Sequence, residues 1–139
     1  MAKEYLNAFV NNSATIRGTL KAAITGAPHK AVAFDSDGTV KLPAADGDPA
    51  VGLILSSAPG GTDGSIAAGE DVDILIKDIG LGEASAAIAK GAAVSVTTSG
   101  TLATAGSGDF ILGFALTAAS AEGDLLQVQI TKSGYVPSA

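Results

Sequence analysis

The chain has 139 residues, 47% of them apolar, so its length and composition fit one domain that can bury a core of its own. A formal net charge of −6 argues against binding to nucleic acid, which needs a basic face, and against binding to an anionic membrane surface. Cysteine is absent and no apolar run could span a membrane or serve as a secretion signal, so we expect a soluble protein made in the cytoplasm without disulfides.

Residues 1–14 are predicted to form an extended N-terminal arm. Tyr5, Leu6, Phe9 and Val10 are spaced so that they would form one apolar stripe if the arm became helical. Two interpretations are open. The segment is either a frayed terminus or an arm that becomes ordered against a partner.

Apolar residues that alternate with polar ones, and short apolar runs that end at turn residues, indicate β-strands in the next part of the chain. Asp37-Gly38 is predicted to be a tight turn between two of them, because glycine tolerates the positive φ that such a turn requires. The predicted strands cover residues 15–24, 30–34, 39–42, 51–55 and 70–79.

A second copy of this pattern follows along the chain. The stretch at residues 94–116 has a weaker copy at residues 34–55, in which the turn glycine Gly38 corresponds to Gly100 and the strand glycine Gly52 to Gly113. Each copy continues from its turn into a loop rich in glycine, alanine and aspartate and then into an apolar strand, and each ends in a half-exposed strand, at residues 70–79 and 126–131. This self-similarity predicts a duplicated architecture.

We therefore predict an all-β fold, a small duplicated barrel or sandwich-like domain over residues 15–132. Its two similar halves are predicted at about residues 30–80 and 91–132, followed by a C-terminal tail at 133–139. One short helix is expected within residues 82–91, where strong helix formers are bounded by glycine.

One stretch resembles a catalytic motif. Residues 31–40, AVAFDSDGTV, are similar to the first motif of the haloacid dehalogenase-like phosphatases, which implies Asp35 as the nucleophile and Asp37 as the general acid and base. In that family a helix follows, whereas here the pattern continues as a strand and breaks at a proline. The second copy has Thr97 and Ser99 at the two aspartate positions. We therefore interpret the aspartates as turn residues, with the phosphatase as the alternative.

Other polar residues give no stronger catalytic or metal-binding pattern. Asp35 with Asp37, and Asp46 with Asp48, could be cation ligands, but neither pair has the spacing of a calcium loop, and both are interpreted as solvated loop acids. His29 has no serine, cysteine or second histidine arranged with it. We predict no enzyme, no cofactor and no metal site.

The glycine placement and the apolar alternation resemble those of the capsid decoration, or cement, proteins of tailed bacteriophages, including the lambda-type head decoration proteins. The resemblance covers about residues 15–132. It is carried by VAF at 32–34, GDPAVGLI at 47–54, AIAKGAAV at 87–94, GTLAT at 100–104, GDFILGFAL at 108–116 and EGDLLQVQI at 122–130.

This resemblance implies a β-rich structural protein that binds the outside of an expanded phage head, commonly as a homotrimer, and links neighbouring major capsid subunits. It implies two partners, the major capsid protein and other copies of the chain, and a place on the virion surface. A capsid-binding role for Tyr5, Leu6, Phe9 and Val10 is a further hypothesis. A host-surface or glycan-binding module is another alternative, although only 4% of the residues are aromatic.

Overall fold

The computed structural model describes residues 13–55 and 64–138, and these residues form ten β-strands. The strands are β1 (Thr15–Thr19), β2 (Ala31–Phe34), β3 (Val40–Lys41), β4 (Gly52–Ile54), β5 (Asp71–Leu75), β6 (Asp78–Glu83), β7 (Ala93–Val96), β8 (Leu102–Thr104), β9 (Gly113–Ala115) and β10 (Leu125–Ile130). The all-β prediction is confirmed.

The strands form two antiparallel five-stranded sheets. The first has the order β1-β5-β4-β2-β3 and the second has the order β6-β10-β9-β7-β8. Adding five to each label of the first sheet gives the second sheet, so strand order and connectivity are the same in both. The first sheet ends at Leu75 and the second begins at Asp78.

The predicted short helix at residues 82–91 is wrong. Strand β6 extends to Glu83, and Ala84 and Ile88 then form isolated bridges with Leu102 and Ala119. A helix of this length is marginal on its own, because nucleation costs more than a few hydrogen bonds return. The bridges instead bury Ala84 and Ile88 in the core, so tertiary packing overrides the local helix propensity.

One face of the first sheet, which we call its outer face, packs against the buried, inner face of the second sheet. Ala31, Leu53 and Leu75 are cross-strand neighbours on this outer face, and they belong to the hydrophobic cluster built around the second sheet. The opposite face of the first sheet holds a second cluster that includes Val32, Ile54 and Ile74. The first sheet therefore has a hydrophobic cluster on each face, and the cluster on its outer face joins it to the second sheet.

Glycines on β6 allow this close packing. A Cβ added at Gly80 would lie 2.4 Å from Leu75 Cδ2, and one added at Gly82 would lie 2.3 Å from Leu102 Cδ1. The missing side chains leave room for leucines that enter from neighbouring strands.

None of the described residues forms a helix that could cross a membrane.

Candidate functional site

The aspartate motif lies in the connection between β2 and β3. Asp35 follows β2, and the chain turns through Asp37 and Gly38 into β3, which pairs antiparallel with β2. A strand, and not a helix, follows the motif. The setting is therefore a β-hairpin and differs from the doubly wound fold that the phosphatase alternative requires.

Asp35 is held between two lysines. Its carboxylate accepts hydrogen bonds from Lys21 and, at 2.8 Å, from the Nζ of Lys41, and only 13% of its side chain is exposed. The hydrogen bonds from Lys21 and Lys41 hold the pKa of Asp35 well below its usual range, and the bond to Asp35 raises the pKa of Lys21. These ion pairs tie the hairpin to the segment that follows β1.

Asp37 braces the turn. Its Oδ1 accepts hydrogen bonds from the hydroxyl of Thr39 and, at 3.0 Å, from the backbone nitrogen of Thr39. The hydroxyl bond is the main reason why the pKa of Asp37 is lowered. A general acid needs the opposite shift, toward a proton that is held near neutral pH. The geometry favours an aspartate turn over the phosphatase alternative.

The two turn glycines have the same conformation but different surroundings. Gly38 has a φ of +86° and Gly100 a φ of +78°. The Gly38 nitrogen donates to the Asp35 carbonyl at 3.0 Å, and the Gly100 nitrogen donates to the Thr97 carbonyl at 2.9 Å. A Cβ added at Gly38 would meet no atom within 4 Å, whereas one at Gly100 would lie 2.8 Å from Leu42 Cδ2. The second turn is packed and the first is open.

The loop aspartates also have structural partners. Asp46 Oδ1 accepts a hydrogen bond from the Thr98 nitrogen at 2.9 Å, and Asp48 Oδ2 accepts one from the Ala45 nitrogen at 3.0 Å. Within residues 13–55 and 64–138, no three histidine, aspartate or glutamate side chains come together to hold a metal ion. Asp46 and Asp48 thus brace the loop and its contact with the second sheet.

A surface of apolar and amide side chains covers most of the outer face of the second sheet, and Glu83 lies at its edge, opposite Leu125. Ile79 is 56% exposed and Leu125 is 48% exposed, although both lie in strands of a sheet whose other face is the core. Cross-strand pairing places Leu81 beside Gln127, and Gln129 between Ile79 and Phe114. We define this surface, the second outer face, as Ile79, Leu81, Phe114, Leu125, Gln127 and Gln129.

The first sheet shows that the fold does not require these apolar residues. Arg17 of β1 pairs directly with Asp73 of β5, and their side chains form an exposed ion pair at 3.3 Å. The same place in the second sheet holds the pair Leu81 and Gln127. Since charges at this place are compatible with an identical strand order, apolar residues there indicate an interaction surface.

A groove of about 320 Å³ runs beside the second outer face. It lies where β4 and β5 approach β6, and the described residues around it are mainly aliphatic. His29, which has a positive φ of 71°, lies at its edge. The lining residues are His29, Leu53, Ile54, Leu55, Leu75, Ile79, Gly80, Leu81 and Gln127.

The alternating pattern predicted that β10 has one exposed side, but not that this side forms part of the second outer face. The available signal was the exchange of Asp71 and Asp73 in β5 for Leu125 and Gln127 in β10. The predicted arm residues Tyr5, Leu6, Phe9 and Val10 lie outside the described residues.

Comparison with known proteins gives a matching family and similar solved structures. The family model of the XM1 gp53 minor capsid protein matches residues 9–130. The crystal structure of the N base of head fiber gp8.5 in bacteriophage phi29 is similar, with a TM-score of 0.64 and 16% identity over 86% of this chain and 95% of that one. At this identity the likeness concerns the fold alone. No curated protein matches significantly.

Proposed function

The chain belongs to the XM1 gp53 minor capsid protein family and is a phage capsid-associated protein, and from this premise we propose that it decorates the outside of the expanded head. In this role it stabilises contacts between major capsid subunits. It is made in the host cytoplasm and added to the virion surface. The all-β fold, which is similar to that of a head fiber base, supports a structural role.

The second outer face carries this proposal and is the proposed contact with the major capsid protein. The chain has a net charge of −6, yet the six residues of this face carry no charge. Burying exposed aliphatic side chains stabilises a complex by roughly 25 cal/mol per Å² of apolar area. Glu83, which lies opposite Leu125 at the edge of this face, is paired with Lys30 at 3.0 Å. An uncharged face of this kind binds without the cost of desolvating an unpaired charge.

Self-association into a homotrimer is the second part of the proposal. No aromatic side chain is among the buried residues of the described part, and the core consists mainly of alanine, valine, leucine and isoleucine. Small side chains bury little area each, so burial against neighbouring subunits would add stability. The matching strand orders support an internal duplication, which gives the chain two related surfaces.

The test transfers the ion pair of the first sheet to the second. In the variant Leu81→Arg/Gln127→Asp, the second outer face carries at that place the charges that Arg17 and Asp73 carry in the first. We expect stability within about 0.5 kcal/mol of the wild type, because exposed ion pairs contribute little. Binding to expanded, undecorated heads should weaken by about tenfold or more.

The matched control is the reverse exchange, Arg17→Leu/Asp73→Gln, on the first sheet. It makes that sheet apolar at the same place and should leave head binding unchanged. Cosedimentation with heads over a range of protein concentrations measures both affinities. Unchanged binding of the Leu81→Arg/Gln127→Asp protein would exclude this face, and no saturable binding of the wild type would overturn the decoration role.

A further inference from the structure

The two sheets have matching backbone hydrogen bonds outside their strands. The His29 nitrogen donates to the Ile54 carbonyl at 2.8 Å, and the Gly91 nitrogen donates to the Ala115 carbonyl at 2.7 Å. Four further bonds of the first sheet, each from a backbone nitrogen to a carbonyl, have a match in the second. They are Leu20–Glu70, matched by Ala84–Asp124; Lys21–Val40, matched by Ser85–Leu102; Val51–Val32, matched by Leu112–Val94; and Leu55–Asp73, matched by Leu116–Gln127. These matching pairs of hydrogen bonds define corresponding positions in the two sheets.

One loop of the first half is docked into the second sheet. The Gly47 nitrogen donates to the Val96 carbonyl at 2.8 Å, and the Gly47 carbonyl accepts from the Phe110 nitrogen at 2.9 Å. The neighbouring Asp46 accepts from the Thr98 nitrogen at 2.9 Å. Gly47 is buried against Asp109, whose Cα would lie 3.2 Å from an added Cβ. We call residues 45–48 the docked loop.

The counterpart of this docking place in the first sheet is open. Phe34 corresponds to Val96, Asp48 to Asp109 and Pro49 to Phe110. Phe34 is 57% exposed, whereas Val96 is 1% exposed and its carbonyl accepts the hydrogen bond from Gly47 of the docked loop. In its place the first sheet has a pocket of about 560 Å³. The pocket is lined by Ala33, Phe34, Lys41, Ala44, Asp48, Pro49, Ala50, Val51 and Lys132.

The second half also has a counterpart of the docked loop. Gly108 has a φ of +81°, the same value as Gly47. The Gly106 nitrogen donates to Asp109 Oδ2 at 2.8 Å, just as the Ala45 nitrogen donates to Asp48 in the docked loop. Residues 106–109, which we call the counterpart loop, therefore have the shape that fits a docking place of this kind.

In this chain the C-terminal tail forms hydrogen bonds with the counterpart loop. The Gly108 nitrogen donates to the Val136 carbonyl at 3.0 Å, and the Val136 nitrogen donates to the Asp109 carbonyl at 2.8 Å. Ser107 Oγ donates to the Pro137 carbonyl at 3.3 Å. The Val136 carbonyl thus accepts a hydrogen bond from Gly108, just as the Val96 carbonyl accepts one from Gly47.

We propose that the counterpart loop of one copy releases the tail of its own chain and docks into the first-sheet pocket of a second copy, so that the contact between copies repeats the contact between the two sheets. Gly108 then donates to the Phe34 carbonyl of the second copy. Pro49 has no N–H to donate, so this contact has one hydrogen bond fewer than the internal one and is weaker. Such head-to-tail contacts form a ring if the rotation closes.

This inference rests on the proposed self-association and specifies its interface. The chain has no cysteine, so a pair of introduced cysteines reports the contact without background. Within the chain, Asp46 of the docked loop accepts a hydrogen bond from the Thr98 nitrogen. In the contact between copies, Ser107 takes the place of Asp46 and Ser36 takes the place of Thr98, so the two serines should be close together. A chain with Ser36→Cys mixed with a chain with Ser107→Cys should therefore form a disulfide between copies.

Oxidation of this mixture, free and bound to heads, should give at least about ten times more linked dimer than a mixture of Ser36→Cys with Ser120→Cys. Deleting residues 133–139 frees the loop and should lower the concentration needed for association in sedimentation velocity. Ala44→Trp fills the pocket from an exposed position and should raise that concentration, whereas Ala118→Trp, exposed elsewhere, should not.

The outcomes separate this inference from the decoration role. Saturable head binding together with disulfide yields at the level of the control pair would overturn the inference and leave decoration standing. Specific disulfide formation without head binding would support the interface and overturn decoration. A tail-deleted chain that stays folded by circular dichroism and associates no better than the wild type would overturn the competition between tail and second copy.

Discussion

Replacing Gly113 with alanine is expected to push apart β9 and β10 at the centre of the second sheet. A Cβ added at Gly113 would lie 2.0 Å from the carbonyl oxygen of Gln129 and 3.1 Å from the Cα of Ile130. Contacts between carbon and oxygen in sheets are about 3.3 Å or longer, so the β10 backbone must withdraw by roughly 1 Å. No change of rotamer relieves this collision, because the opposing atoms belong to the backbone.

The expected loss of stability has two causes. Overpacking a close-packed site costs about 1–3 kcal/mol, and each weakened hydrogen bond between β9 and β10 costs about 1 kcal/mol more. We therefore expect Gly113→Ala to lower the free energy of unfolding by about 3–4 kcal/mol and Tm by roughly 10–15 °C. Gly52→Ala should behave alike, since its Cβ would lie 1.9 Å from the carbonyl oxygen of Leu75.

Thermal and urea unfolding followed by far-ultraviolet circular dichroism measure this loss. Gly106→Ala is the matched control, because its Cβ would have Asp109 Oδ2 at 3.6 Å as its nearest neighbour and its φ is not positive. The control should stay within about 0.5 kcal/mol of the wild type. A Gly113→Ala protein that also unfolds within about 0.5 kcal/mol of the wild type would refute the expected backbone collision.

Two further predictions concern the ion-paired hairpin and the N-terminal arm. Lys21 and Lys41 hold the pKa of Asp35 below its usual 3.8, so this carboxylate stabilises the fold above about pH 4, and its contribution is lost as the pH falls through the lowered pKa. The Asp35→Asn protein should therefore be less stable than the wild type near neutral pH. The difference between their urea midpoints should shrink below about pH 4, and a difference that does not vary with pH would contradict this. Deleting residues 1–12 should leave the unfolding midpoint unchanged and weaken head binding by about tenfold, whereas an unfolded deletion protein would show that the arm is part of the core.

Much of the fold follows from local sequence signals. Alternation of apolar and polar residues correctly predicted strands around β5 and β10, because each strand has one side in the core and one outside. The glycine placement around Gly113 carried the resemblance to phage decoration proteins, and a capsid-associated family is confirmed. These signals are readable because they depend on backbone conformation and on which side of a strand is buried.

The wrong helix shows where local signals stop. Residues 84–91 have good helix propensity, but Ile88 is buried against partners that are distant in the sequence. Propensity is worth only tenths of a kcal/mol per residue, whereas burying an isoleucine is worth about 1.5–3 kcal/mol. Burial of Ile88 therefore outweighs the helix propensity of its neighbours and decides the conformation of this segment.

The sequence by itself determined the β-strands, the turn glycines and the correspondence of Gly52 with Gly113. Only the tertiary structure showed that a neighbouring carbonyl leaves no room for a side chain at either glycine. It also brought Lys21 and Lys41 onto Asp35, and it gathered residues of β6, β9 and β10 into the uncharged second outer face. Such features arise between strands that are far apart in the chain, and the pairing of those strands is set by the packing of the whole domain.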